Sequence, residues 1–155
     1  MAEERLINRF FKDYCIKKNM KQREVVLNSG AIIFLGKNSK NNDELVTSYL
    51  GKENTIIHTA KPGSPFCVID KLNPTKEEIK TSAIICASKS QDWRENRGDV
   101  VVHVFTGKDV EKNKGMKEGT WKIKSKPKLI KIKKKEIEEW IKSVEKRGEE
   151  KSCQQ

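Results

Sequence analysis

The chain has 155 residues, of which 35% are hydrophobic and 35% charged, with a formal net charge of +11. This length suits one domain, since domains commonly hold about 100–150 residues. No apolar run approaches the ~20 residues of a membrane helix, and the N-terminus lacks the apolar part of a secretory signal, so we expect a soluble, cytoplasmic protein.

The first elements are an amphipathic helix and a β-hairpin. Apolar residues recur at helical spacing over residues 3–17, which predicts a helix in the N-terminal segment 1–21. Core packing is the simpler interpretation of its apolar face, and a partner groove is the alternative. Two apolar runs, at 23–27 and 31–35, flank Asn28-Ser29-Gly30 and predict the hairpin.

The middle of the chain alternates helices with strand pairs. A helix over 42–50 is predicted to end at Gly51, and strands at 55–59 and 66–70 follow it. The next helix is predicted to begin at Asn73-Pro74-Thr75, with Pro74 near its first position. Its buried positions are predicted to be Ile79, Ala83, Cys86 and Ala87.

The last third is predicted to contain strands and one helix. Residues 90–98 are predicted to be a polar connection, and residues 99–106 a valine-rich strand. Strands near 120–125 and 128–133 are predicted to complete the sheet. The final helix, over 136–146 in the segment 134–147, is predicted to end at Gly148, and 148–155 to be a disordered tail. Strand pairs with short turns indicate an α+β domain, a largely antiparallel β-sheet with helices packed on it.

The positive charge is concentrated in one segment. Between Lys108 and Lys135 there are twelve lysines and three acidic residues, a net +9, so the other 127 residues carry only +2. Such a concentration attracts polyanions. The predicted phosphate contacts are Lys108, Lys112, Lys114 and Lys117 in a loop, and Lys122, Lys124, Lys126 and Lys128 in a strand.

The strand lysines alternate with Trp121, Ile123, Ser125 and Pro127, which predicts a lysine face with a bulge or break near Pro127. Lysine on an edge strand also prevents aggregation, and this is the alternative. The number of lysines favours nucleic acid. Because Trp121 is the one aromatic residue there, we expect recognition of backbone and shape, with little base stacking.

A second candidate site lies between residues 36 and 64. Glycine permits close approach of a ligand, and a helix start offers N–H groups to an anion, so Gly36-Lys37-Asn38, Asn42-Asp43, His58 and Pro62-Gly63-Ser64 predict a pocket for a phosphate or a base. The alternatives are a strand-ending turn, a helix cap at Asn42 or Asp43, and a half-buried His58 bonded to backbone.

Catalysis and metal binding have weak support. Gly36-Lys37 lacks the frame of a P-loop, and no nucleophile-elbow motif surrounds Ser64, although Ser64, His58 and Asp43 could be named as a hydrolytic triad. The four cysteines have no C-x-x-C spacing, which predicts reduced structural thiols. With two histidines in the chain, we expect no metal and no cofactor.

The order of these motifs over residues 22–133 resembles the NFACT RNA-binding domain family. The family pattern also matches Ala87-Ser88-Lys89, the strand at 100–104, and Val110, Lys112, Gly115 and Gly119. Pro65 stands where the family often has a second histidine, and Ile56-Ile57 replaces an aromatic pair.

The resemblance implies a non-enzymatic RNA-binding protein that contacts tRNA or ribosomal RNA, with Lys89 among the contacts. It implies a role in translation or ribosome-associated quality control, with the large ribosomal subunit as a possible partner. An interaction module that docks through its terminal helices is the alternative, and a small RNA or nucleotide hydrolase is a weaker one. The oligomeric state does not follow from the sequence.

Overall fold

The computed structural model describes residues 22–151, with side chains over 22–146. The predicted helix over 3–17 lies outside the described residues. The strands are β1 (Arg23–Val26), β2 (Ile32–Leu35), β3 (Thr55–Thr59), β4 (Cys67–Ile69), β5 (Val100–Thr106), β6 (Val110–Glu111), β7 (Lys122–Ile123) and β8 (Lys128–Ile132). The helices are α1 (Ser39–Ser48), α2 (Lys76–Ser88), α3 (Gln91–Asn96) and α4 (Lys134–Lys151), with a 3₁₀ turn at Gly107–Asp109.

Six strands form one antiparallel sheet in the order β1-β2-β4-β3-β5-β8, and β6 pairs with β7 in a separate two-stranded ribbon. The predicted α+β class and the first hairpin are confirmed. Helices α2, α3 and α4 pack on one face of the sheet. Helix α1 and the β6–β7 ribbon pack on the other face.

Strand alternation separates the two cores. In β5, Val100 and Val102 are fully buried against the α2 side, while Phe105 points toward α1. Residues one position apart point to opposite faces of a sheet, so a single strand supplies both cores. The sheet therefore holds α1 and the ribbon on a face separate from the other three helices.

Helix α1 begins earlier than predicted. Asn38 is its N-cap, and the Asn38 side chain accepts a hydrogen bond of 2.8 Å from Asn41 N. The predicted caps, Asn42 and Asp43, lie inside the helix because Asn38 already satisfies the first exposed N–H groups. The helix ends with Tyr49 as its C-cap, and Gly51 follows at a φ of +79°.

Helix α2 begins with a capping box, so Pro74 lies before the helix and not at its first position. Thr75 is the N-cap, its hydroxyl accepts from Glu78 N at 3.0 Å, and Glu78 accepts from Thr75 N at 2.8 Å. The buried Glu78 also accepts from Ser29 and Lys71. Hydrogen bonds from Ser29, the Thr75 N–H and Lys71 lower the pKa of Glu78 to about 2.

Two other predicted boundaries are wrong. Residues 90–98 are not merely a polar connection, since Ser90 caps the short helix α3 and Trp93 is buried in the core. Helix α4 continues through Gly148 to Lys151. A glycine inside a helix costs only about 1 kcal/mol relative to alanine, so it need not end one. The tail beyond Lys151 lies outside the described residues.

Cys67 and Cys86 are buried free thiols, as predicted, and burial raises the pKa of each. No helix within residues 22–151 has the length and apolar character needed to span a membrane. The same residues contain no group of three metal-ligating side chains.

Candidate nucleic-acid interface

The glycine turn after β2 is held by hydrogen bonds to both the N–H and the carbonyl of Gly36. Gly36 N donates to Phe66 O at 3.1 Å, and Gly36 O accepts from Arg23 Nη2 at 2.9 Å. A Cβ on Gly36 would lie 1.8 Å from Asn42 Oδ1, so the position requires glycine. The turn leaves Lys37 exposed at the start of α1.

The predicted pocket between Gly36 and His58 is filled by Phe66. The buried Asn42 accepts from Phe66 N at 3.0 Å, and the His58 ring stacks on Phe66 with centroids 4.3 Å apart. Gly36, Asn42 and His58 therefore all contact Phe66, an aromatic residue that the motifs did not point to. Asn42 joins α1 to the sheet, and it does not face solvent as an RNA contact would.

His58 is a structural histidine. Its Nδ1 lies 2.8 Å from Thr59 O, and because a carbonyl only accepts, Nδ1 carries the proton. Burial, with a smaller contribution from His103, its cross-strand partner, lowers the pKa of His58 to about 4. The imidazole is therefore neutral at physiological pH, as the interpretation of a half-buried histidine bonded to backbone requires.

The turn at Pro62-Gly63-Ser64 is fixed from within. The buried Ser64 hydroxyl accepts from Thr59 N at 3.2 Å and donates to Pro65 O at 3.2 Å. Gly63 O accepts from Gln91 N at 2.7 Å, and the φ of Gly63 is +91°. Pro62 and Gly63 remain exposed beside the N-terminus of α3.

The side chains named for a hydrolytic triad each bond elsewhere. Ser64 bonds to backbone groups, and His58 bonds to the Thr59 carbonyl. Asp43 accepts hydrogen bonds from Gly119 and Trp121. The three side chains therefore do not form a relay of hydrogen bonds.

Asp43 binds the basic loop, which we define as residues 112–121. Its carboxylate accepts from Gly119 N at 3.0 Å, from Trp121 Nε1 at 2.9 Å and from Lys112 Nζ at 3.1 Å. Gly119 also packs closely on Ser39, since a Cβ there would lie 2.9 Å from the Ser39 Cβ. The loop is therefore attached to the first turns of α1.

Lys112 is a poor phosphate contact because its charge is used inside the loop. Its ammonium binds Asp43, donates to Lys117 O at 3.0 Å, and lies 5.2 Å from the centroid of the Trp121 ring. Only 28% of its side chain is exposed. Lys114 and Lys117, which are exposed in the same loop, are therefore better candidate contacts than Lys112.

The predicted lysine face from Lys122 to Lys128 does not exist as one strand. The chain breaks near Pro127, as expected, but β7 belongs to the ribbon and β8 to the large sheet. Lys128 shares its strand face with Ile130 and Ile132, which pack on the α2 side. Lys128 is therefore on the opposite face of the sheet from β7, and the ribbon does not complete the sheet as predicted.

Four cations from separate elements are connected, directly or through a neighbouring residue, to the first part of α1 and the turn before it. We call Arg23, Lys37, Lys89 and Lys117 the basic arc. Arg23 bonds to Gly36, which precedes Lys37, and burial, followed by the charge of the Arg23 guanidinium, lowers the pKa of Lys89. Lys117 is in the loop that Asp43 holds against α1.

A groove of about 640 Å³ opens between α1 and the β6–β7 ribbon. Leu50, Val110 and Trp121 supply apolar lining, and Lys108, Lys112 and Lys124 also line it. Lys108 pairs with Glu53 at 3.1 Å, and Lys122 on the ribbon pairs with Glu111 at 3.6 Å. The groove is the concave part of the lysine-rich surface.

The basic surface lies in a segment of the chain that matches a known domain family. The family model of the NFACT protein RNA binding domain matches residues 13–125. The chain belongs to this family. The resemblance identified from the motifs is confirmed, and the matched range includes α1, the basic arc, the basic loop and the groove. The domain is an RNA-binding module of a family that is not defined by catalysis.

A solved structure is similar in fold to the NFACT domain. It is titled the C-terminal of the fibronectin/fibrinogen-binding protein from Streptococcus suis, with 25% identity and a TM-score of 0.65. The match covers 77% of this chain but 48% of the other, so the chain spans about half of that structure's length. No curated protein sequence matches the chain.

Three residues that shape the site of the NFACT domain were not predicted from the sequence, and they are Arg23, Asn41 and Phe66. Asn41 accepts from Lys37 N at 2.9 Å and shapes the turn before α1. The available signal for Asn41 was an amide side chain three residues after Asn38. For Phe66, the signal was an aromatic residue directly after the Pro-Gly-Ser-Pro segment. Arg23 had no local signal, because its contact depends on strand pairing.

Proposed function

We propose that this NFACT domain binds structured RNA, tRNA or ribosomal RNA, without catalysing a reaction. It would act in the cytoplasm, in translation or in ribosome-associated quality control, with the large ribosomal subunit as a candidate partner. The observation that carries the proposal is the attachment of the basic loop to α1 by Asp43.

The attachment matters because it orders the cations before RNA arrives. Lys117 is held near Asp43 of α1, because Lys112 bonds both to the Lys117 carbonyl and to Asp43, so binding does not have to order the loop from a disordered state. Phosphate contacts supply most of the affinity in nucleic-acid binding, and cations already in position increase it. Arg23 and Lys89 extend the same surface past Gly36.

The predicted site residues divide into three groups by their positions in the fold. Exposed groups remain candidate contacts, and they are Lys37, Asn38, Pro62, Gly63, Lys89, Lys108, Lys114, Lys117, Lys122, Lys124 and Lys126. Groups whose side chains or backbone make internal contacts shape the surface, and they are Gly36, Asn42, Asp43, His58, Ser64 and the partly exposed Lys112. Lys128 lies on the other face of the sheet.

The alternative of a partner docked on the C-terminal helix loses support. Ile137 of α4 is fully buried, and Trp140 and Ile141 pack against the same core. The apolar face of α4 is therefore occupied within the domain. Deleting α4 would remove core residues, so the deletion could not separate partner docking from RNA binding.

A salt titration tests the proposal. With five to seven phosphates contacted, log K for an RNA hairpin should fall with log salt at a slope of roughly −3.5 to −6. Replacing Lys114 and Lys117 with glutamate should flatten the slope by roughly 1.4–1.8, the share of two contacts. Fluorescence anisotropy of a labelled hairpin measures both quantities.

The matched control is Lys76→Glu with Lys142→Glu, an equal change of charge on α2 and α4 behind the sheet. This control should leave the slope nearly unchanged. A complex indifferent to salt, or equal losses in the two double variants, would contradict the proposed surface.

A further inference from the structure

The groove beside the basic loop has the size of a ligand site. Its volume of about 640 Å³ falls within the roughly 300–1,000 Å³ typical of small-molecule sites. One end is closed where α1 stops, because Gly51 N donates to Gly107 O at 2.9 Å. Gly107 is pressed so closely on the helix end that a Cβ would lie 1.9 Å from Tyr49 O.

The groove exposes apolar surface, and among its lining residues the Lys112 ammonium lies over the Trp121 ring, 5.2 Å from the centroid. Leu50 lines it with 49% of its surface exposed, beside Val110 and the Trp121 indole. The indole N–H is already bonded to Asp43, so the ring offers apolar surface and no free donor. Such a floor suits the flat, apolar face of a nucleobase.

Cations border this floor. Lys124 is positioned by its backbone N–H, which donates to Asp109 O at 2.6 Å. Lys108 pairs with Glu53, but both side chains are more than half exposed. An exposed ion pair contributes only about 0–1 kcal/mol, so a phosphate can replace the glutamate at little cost.

We propose that the groove receives one unstacked nucleotide of the bound RNA. The base would lie against Leu50 and Trp121, and its flanking phosphates would contact Lys108 and Lys124. An apolar base face and an anionic phosphate match the floor and border, whereas an apolar peptide would use the floor alone. The inference rests on the proposed function and adds that single-stranded loops are preferred over duplex.

The test compares two RNAs with the full chain. One is a hairpin with 2-aminopurine in its loop, and the other is a blunt duplex with the same stem. Leu50→Ser should weaken hairpin binding about fivefold, because the base loses part of its apolar contact, and should leave the salt slope unchanged. The affinity of this variant for the duplex should not change. The change in 2-aminopurine fluorescence when it binds the hairpin should be smaller than for the unaltered domain.

Leu72→Ser is the matched control, because Leu72 is 56% exposed and does not line the groove. It should leave both affinities unchanged. Equal affinities of the Leu50 and Leu72 variants for the hairpin would overturn the groove assignment, while salt-dependent RNA binding would still support the proposed function. Loss of salt-dependent binding by the unaltered domain would overturn both.

Discussion

The indole N–H of Trp121 donates a hydrogen bond of 2.9 Å to the carboxylate of Asp43, 78 positions earlier in the chain. This contact joins the basic loop to α1 and puts an acidic residue at the centre of a cationic surface. The acid lowers the local positive charge, yet it holds the exposed Lys117 in position.

Asp43→Ala should weaken RNA binding although it makes the protein more positive. Without the carboxylate, Lys112, Gly119 and Trp121 lose their common acceptor and the loop is no longer held against α1. RNA binding must then order the loop, which should lower the affinity about three- to tenfold. Anisotropy with the hairpin measures the affinity, and amide exchange over residues 112–121 should accelerate.

Glu138→Ala makes the same change of charge on an exposed position of α4 and serves as the control. It should bind RNA as well as the unaltered domain or slightly better. If Asp43→Ala also binds better, charge alone governs the site and the positioning role of Asp43 is wrong.

Gly36→Ala should destabilise the domain strongly. The new methyl would meet Asn42 Oδ1 at 1.8 Å and force Asn42 away from Phe66 N. Overpacking together with a lost buried hydrogen bond should lower the free energy of unfolding by about 2–4 kcal/mol in urea denaturation.

Gly98→Ala is the comparison for this variant, because its nearest neighbour would be 3.8 Å away and its φ is not positive. It should change the free energy of unfolding by less than about 0.5 kcal/mol. Similar values for the two variants would show that Asn42 can move without cost.

Acidification from pH 7.5 to 5 should destabilise the domain through His58. Its pKa is lowered from 6.5 to about 4 in the folded state. The unfolded chain therefore binds the proton first as the pH falls below 6.5, and stability declines until the folded pKa is reached, by about 1.4 kcal/mol per pH unit at most.

His58→Gln should remove most of this pH dependence, as measured by urea denaturation at the two pH values. His103→Gln should retain it, because burial is the larger cause of the shift. An unchanged pH dependence in the His58 variant would assign the effect to another group.

Glu78→Gln should destabilise the domain at pH 7 by about 1–3 kcal/mol, since the carboxylate accepts from Ser29, Thr75 and Lys71. The pKa of Glu78 is lowered from 4.5 to about 2, so its stabilisation is complete above 4.5 and is lost as the pH falls toward 2. Thermal melts at pH 7 and pH 3 should show a smaller difference from the unaltered domain at pH 3. A constant difference would contradict the ionised, hydrogen-bonded carboxylate.

Local patterns predicted most of the elements correctly. The strand β3 was predicted at its observed bounds, and β5 within one residue, because β-branched runs between turns have few alternative structures. The error at Asn38 concerns a helix start, where several polar residues compete to cap one set of N–H groups, and the error at Gly148 concerns a helix that continues through its glycine.

The prediction of one continuous lysine face was wrong for a different reason. Alternation over residues 121–128 was real, but pairing partners assigned β7 to the ribbon and β8 to the large sheet. Pairing is a property of two segments, so one segment's periodicity could not decide it. Likewise, Phe66 fills the predicted pocket from a strand whose neighbours the sequence did not specify.

The sequence by itself determined the fold class, the family resemblance and the concentration of charge, because these depend on composition and on residues close together in the chain. Only the tertiary structure decided which lysines are exposed together and which are used internally, as Lys112 is by Asp43. Contacts such as Asn42 with Phe66 and Asp43 with Trp121 join segments that no local spacing relates. Burial and hydrogen bonding between distant segments determine whether a polar residue is used inside the fold or remains exposed to contact a ligand.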